Sequence, residues 1–152
     1  MKAPPSAARR ALMARVLASA LLGAGWPLVV AAEPNLAKSE WQAIRKVIMR
    51  QLAALRAGDG ARAFAYASPG IQAQFGDAAT FLLMVRSAYA ALLVARYTEF
   101  LDGAQVDGMV VQPLRLVAPD NTVQVALYTL ERLPGGWRIS GCRLAPSTVQ
   151  AA

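Results

Sequence analysis

The sequence predicts an α+β domain: N-terminal helices packed on a curved, antiparallel, four-stranded sheet. Three observations carry this. Apolar residues recur every three to four positions from Trp41 to Leu92, the period falls to two from about Leu93, and the later apolar segments are joined by short turns. At 152 residues, 56% hydrophobic and 16% charged, the chain has the length of one domain and is too apolar to stay disordered.

The elements follow in order. Ser39, with Gln42 three residues on, forms a capping box for a first helix whose apolar stripe is Trp41, Ile44, Ile48, Leu52 and Leu55. Gly58 ends it, and Asp59 caps a short second helix holding Phe64 and Tyr66. That helix must stop before Pro69, because the residue preceding a proline is pushed out of helical geometry. Ser68-Pro69, a capping serine with proline at the first helical position, opens another short turn through Ile71 and Phe75. Gly76 breaks it and Asp77 caps the third main helix, with Phe81, Met84, Val85, Ala88 and Leu92 on one face and Leu83 on the other. Strands are expected over 94–101, 109–117, 122–133 and 136–144. Asp102-Gly103, Pro119-Asp120-Asn121 and Pro134-Gly135-Gly136 supply the turns, and such short links demand antiparallel neighbours. In the closing strand, strict alternation puts Trp137 and Ile139 on one face and Cys142 and Leu144 on the other. A β-bulge at Gly141 would return all four to the inward face.

Residues 1–32 read as a removable export signal. Lys2, Arg9, Arg10 and Arg15 precede an uncharged run from Val16, and Val30-Ala31-Ala32 supplies a cleavage site. The run is broken by Gly23, Gly25 and Pro27 and is short for a membrane span, so no stable anchor is expected after cleavage. Ala8 before Arg9-Arg10 fits the twin-arginine route poorly. A mature protein beginning at Glu33 has no N-terminal cysteine to lipidate. Its location is then periplasmic or secreted, with 33–38 a loose lead-in, 39–145 the domain and 146–152 a flexible tail.

Cleavage also resets the charge. The full chain has 16 Lys and Arg against 9 Asp and Glu; four of the basic residues and none of the acidic ones lie in 1–32, leaving 12 against 9, or +3. The remaining arginines are scattered, so no nucleic-acid partner is expected. Cys142 is the sole cysteine and there is no histidine. That excludes an internal disulfide, Ser-His-Asp and Cys-His catalysis and most zinc sites. No cofactor or metal is indicated.

Three stretches resemble a family of exported bacterial proteins of unknown function: Ala65-Tyr66-Ala67-Ser68-Pro69-Gly70-Ile71-Gln72, the run Phe75-Gly76-Asp77 with the helix Phe81 to Tyr89, and Gly136-Trp137-Arg138-Ile139-Ser140-Gly141-Cys142-Arg143-Leu144. That family is allied to the cone-shaped nuclear-transport-factor-2-like superfamily, which includes ketosteroid isomerases. The resemblance implies a cone whose open end is commonly a small-molecule pocket. It implies, for the enzymes of that superfamily, a carboxylate base beside a tyrosine or carboxylic-acid donor deep in the cone.

This chain offers little for such chemistry. Asp59 and Asp77 serve as caps, and Asp102, Asp107 and Asp120 fall in turns. Glu99, near Tyr97, is the one weak candidate base, and otherwise a solvated edge-strand residue. Tyr66, Tyr89, Tyr97, Tyr128 and Trp137 each join an apolar body to one polar tip, which suits a ligand pocket as well as a core. Arg96, and less directly Arg86, could hold an anionic group. The reading is a non-catalytic module that binds a small apolar or weakly anionic ligand or a partner, with a homodimer through the sheet or third helix a further expectation. The alternative is a ketosteroid-isomerase-like enzyme moving a proton with a carboxylate and a tyrosine.

Protein recovered from the periplasmic fraction should have the intact mass of a chain starting at Glu33. A mass retaining residues 1–32 would reinstate a membrane anchor.

Overall fold

The computed structural model describes residues 35–147, so the export signal assigned to 1–32 and most of the tail assigned to 146–152 lie outside the described residues. Five helices precede five strands. They are α1 (Lys38–Arg56), α2 (Gly60–Ala65), α3 (Pro69–Phe75), α4 (Ala78–Ala88), α5 (Ala90–Val94), β1 (Tyr97–Phe100), β2 (Ala104–Val106), β3 (Met109–Val117), β4 (Val123–Leu133) and β5 (Gly136–Pro146). Among these, no helix is long and apolar enough to cross a membrane.

The local stop and start signals act as the sequence implies. Asp59 accepts from the Arg62 amide at 3.0 Å, Ser68 from Ile71 at 3.3 Å and Asp77 from Thr80 at 2.7 Å, each satisfying an orphan donor of the first turn. Gly58 and Gly76 sit at φ 71° and 78°, where a side chain would be strained. The start of α1 differs from expectation. Lys38 already opens the helix, and extended Ala37 precedes it without a side-chain cap, so Ser39 lies inside the first turn. A distant contact fixes this end instead. The Glu40 carboxylate accepts from the Trp137 indole at 2.7 Å and pairs with Arg132, whose guanidinium also lies over the Trp137 ring. Arg132 and then the indole hold the Glu40 carboxyl below its ordinary range.

The third main helix also differs from expectation, being divided at Tyr89 (φ −127°, ψ 31°) into α4 and α5. The chain remains helical through Val94, so the first strand begins at Tyr97, not at 94. The physical cause is tertiary: the Tyr89 hydroxyl donates to the Cys142 carbonyl at 2.8 Å, tying the break to β5.

All strand pairs are antiparallel in the order β1-β3-β4-β5, with the additional β2 also on β3. The sheet therefore has five strands where the sequence indicated four. β1 pairs with Leu114 to Val117 and β2 with Met109 to Val111, so the two are halves of one edge strand interrupted at Leu101 to Gly103. Pro113 explains the interruption. Its carbonyl accepts from the Leu101 amide at 3.1 Å, but proline has no N–H to return the bond. The Gln112 carboxamide, fully buried, donates to the Leu101 carbonyl at 2.7 Å in its place, and its own oxygen accepts from Arg45 Nε at 3.1 Å. Gly103 completes the crossing, since a Cβ there would come within 2.2 Å of the Trp41 ring.

The register of β5 shifts between Thr129 and Leu130. Leu130 faces Ile139 and Thr129 faces Gly141, leaving Ser140 as the extra residue. The irregularity thus lies one position before the expected Gly141. Gly141 has a different duty, for a Cβ on it would meet Thr129 Oγ1 at 2.7 Å. The shift puts Trp137, Ile139, Cys142 and Leu144 on the helix-covered face.

Two apolar clusters result. Ile44, Ile48 and Leu52 of α1 are fully buried against Leu114, Ala126, Tyr128, Leu130 and Ile139 of the sheet, and each aliphatic side chain contributes about 1.5–3 kcal/mol. Ala54, Leu55, Ala63, Phe81, Leu82 and Val85 hold the helices to one another.

Gln112→Leu keeps the bulk but strips the Leu101 carbonyl of its close donor. Urea unfolding should show a loss of about 1–3 kcal/mol, because the Leu101 carbonyl keeps only the 3.5 Å approach of Arg45 Nη2 and Arg45 Nε loses its acceptor. An unchanged midpoint would refute the role given to Gln112.

Candidate functional site

Where the two clusters meet, a cavity of about 200 Å³ opens between α3, α4 and the β4–β5 hairpin. Its walls are apolar: Leu55, Ile71, Phe75, Phe81, Met84, Val85, Leu92 and Ile139, with Ala67 below. Phe81 makes tilted and edge contacts with Phe64 and Phe75 at centroid distances of 5.4 and 5.8 Å, which stiffens the helical wall. Ala67 is held against β5 by two backbone bonds, Ser68 N–H to the Ile139 carbonyl at 2.8 Å and Ile139 N–H to the Tyr66 carbonyl at 2.9 Å. The less buried Ile71, Gln74, Phe75 and Met84 form its open side.

Four polar side chains complete the lining away from that open side: Gln51, Tyr89, Tyr128 and Cys142. Gln51 is buried and its amide donates to the Ala63 carbonyl at 3.2 Å, while no described residue donates to its side-chain oxygen. Tyr89 is engaged with the Cys142 carbonyl, and burial, then the neighbouring Cys142, raises its hydroxyl above the ordinary phenol range. Tyr128 is directly opposite Cys142 in the ladder and fully buried; its hydroxyl makes no hydrogen bond of regular geometry among the described residues, and its polar neighbour is the weakly accepting Cys142 thiol. Burial lifts its pKa well above the ordinary value. Burial likewise pushes the Cys142 thiol up to about 12, so it is a neutral S–H and no nucleophile near neutral pH. Among the described residues, no Lys, Arg, Asp or Glu lines the cavity.

The expected site residues therefore separate. Tyr89 and Tyr128 line the cavity together. Tyr66 lies beyond Ala67, in a shallow surface depression with Arg50, Asp59 and Arg62. Trp137 is buried, but its indole N–H is given to Glu40. Tyr97 is 52% exposed, and Arg96 is exposed and bonded to Asn121. Glu99 sits on edge strand β1 with its side chain 40% exposed and ion-paired to Arg115, outside the cavity. Arg86 is exposed at the end of α4. Among the described residues, no group of three or more His, Cys, Asp or Glu could hold a metal ion.

Sequence reasoning missed Gln51 and placed Cys142 in the core without seeing the cavity. A signal for Gln51 exists: it falls three residues after Ile48 and four before Leu55, a polar residue in the apolar stripe of α1.

With this fold in hand, residues 37–152 match the family model described as a domain of unknown function (DUF4864), and the chain belongs to that family. No curated protein matches it.

Proposed function

We propose that this is an exported, nuclear-transport-factor-2-like module of the periplasm or secreted space that binds a small apolar molecule in the cavity over β4 and β5. One observation carries the reading: a mostly apolar cavity of ligand size has in its lining the fully buried Tyr128, whose hydroxyl makes no regular hydrogen bond among the described residues. A buried polar group without a partner costs about 1–3 kcal/mol and calls for an explanation, and a bound ligand supplies one. With no cation among the described lining residues, an uncharged ligand is favoured over an anionic one.

Proton transfer by a carboxylate and a tyrosine draws no support from this geometry. Its base would have to stand in the cavity, whereas Glu99 is spent on Arg115 at the sheet edge. Association of two copies through the sheet is a second, compatible reading. Val111, Pro113, Val125 and Leu127 are neighbours on the sheet face turned away from the helices, half-buried with no described element covering them.

Protein purified from its native compartment and denatured into solvent should release one small uncharged compound, in amounts up to one per chain by mass spectrometry. Ile71→Trp, which narrows the open side, should release much less. Wild-type protein that releases nothing contradicts the binding reading.

A further inference from the structure

Resting on that reading, we infer that the molecule taken up is a neutral, single-ring-sized compound carrying one hydroxyl group. Size sets the first limit. A dry protein cavity of about 150 Å³ holds benzene, so about 200 Å³ suits one ring with a short substituent and is too small to enclose a steroid-sized, four-ring molecule. Charge sets the second, because every titratable group in the lining, Tyr89, Tyr128 and Cys142, is held neutral by burial and no ionic residue joins them. An ionised ligand would lose its hydration with no ionic side chain among the described lining residues to replace it.

The third limit is the hydrogen-bonding inventory. Tyr128 has an O–H to give and no oxygen or nitrogen acceptor among the described residues, only the weakly accepting Cys142 sulfur beside it. The side-chain oxygen of Gln51 can accept, and no described residue donates to it. Tyr89 has given its hydrogen to the Cys142 carbonyl. Away from Gln74 at the open side, the strongest unsatisfied groups of the lining are thus one donor, Tyr128, and one acceptor, Gln51. A ketone or ether answers only the donor, whereas a hydroxyl accepts from Tyr128 and donates to Gln51. The Tyr128 hydroxyl is screened from water, so the ligand must displace its apolar surroundings slightly to reach it. That keeps water from competing for the bond.

Calorimetric titration of the purified protein with benzyl alcohol and its isostere ethylbenzene tests this. In a purely apolar cavity the alcohol binds much more weakly, because its lost hydration is not replaced. Here benzyl alcohol should bind at least as tightly as ethylbenzene. Tyr128→Phe should weaken the alcohol about tenfold more than the hydrocarbon, one hydrogen bond's worth. The same variant removes a buried hydroxyl that makes no regular hydrogen bond, so its thermal midpoint should hold or rise, separating a lost contact from a damaged fold. Clear preference for ethylbenzene, or a Tyr128→Phe variant with unchanged relative affinities, overturns the hydroxyl inference and leaves the binding pocket standing. Binding of neither compound overturns both.

Discussion

Ser140 has no partner in the β4–β5 ladder, and the arrangement of the site depends on that one extra residue. Side chains alternate strictly along a strand, so a continuous ladder would turn Cys142 and Leu144 outward once Trp137 and Ile139 faced the helices. With Ser140 inserted, all four join the cluster that α1 and α5 cover. Tyr128 then stands opposite Cys142, and the Cys142 carbonyl is where the Tyr89 hydroxyl lands. That single bond connects the bulged strand to the break between α4 and α5. The walls of the cavity are thereby assembled from both sides by one irregularity.

The opposite side of the sheet is stabilised by a different exchange. Pro113 removes a ladder donor, and the Gln112 side chain, supported by Arg45 of α1, replaces it. A proline inside a strand is thus accommodated by splitting the edge strand into β1 and β2, with Trp41 lying over Gly103 at the gap. Together with the Glu40, Arg132 and Trp137 cluster, these contacts fix α1 to both sides of the sheet, so the helix stripe of Ile44, Ile48 and Leu52 can bury fully. What remains unfilled lies farther along, under α3 and α4. There the sheet presents polar tips instead of closing with aliphatic ones.

Much of this was legible in the sequence, for a reason visible at particular residues. Asp59, Ser68 and Asp77 each bond an amide three residues away, so their caps depend on local chemistry alone. The clash of face assignments between Ile139 and Cys142 likewise required a bulge, although only the partner strand could say that Ser140, not Gly141, would be the unpaired residue. Features set by distant partners were hidden. The start of α1 answers to Trp137, the break at Tyr89 answers to Cys142, and β2 is three residues long beside a proline on another strand. The aromatic set was recognisable as a group, but which members meet at the cavity follows from the sheet register. That register separates Tyr128, in the cavity lining, from Trp137, spent on a structural bond.

The register at Ser140 is tested most directly by the pH dependence of Cys142 alkylation in the native protein. A thiolate is the reactive species, and a thiol held neutral to about 12 has far less of it at pH 8 than one at the ordinary 9.0. The inward register therefore predicts modification about a thousandfold slower than for a solvated thiol at pH 8, on the difference in thiolate fraction, with the rate still climbing above pH 9 while the protein stays folded. Rapid alkylation that levels off near pH 9 would mean an outward Cys142. It would contradict both the register and the cavity built on it.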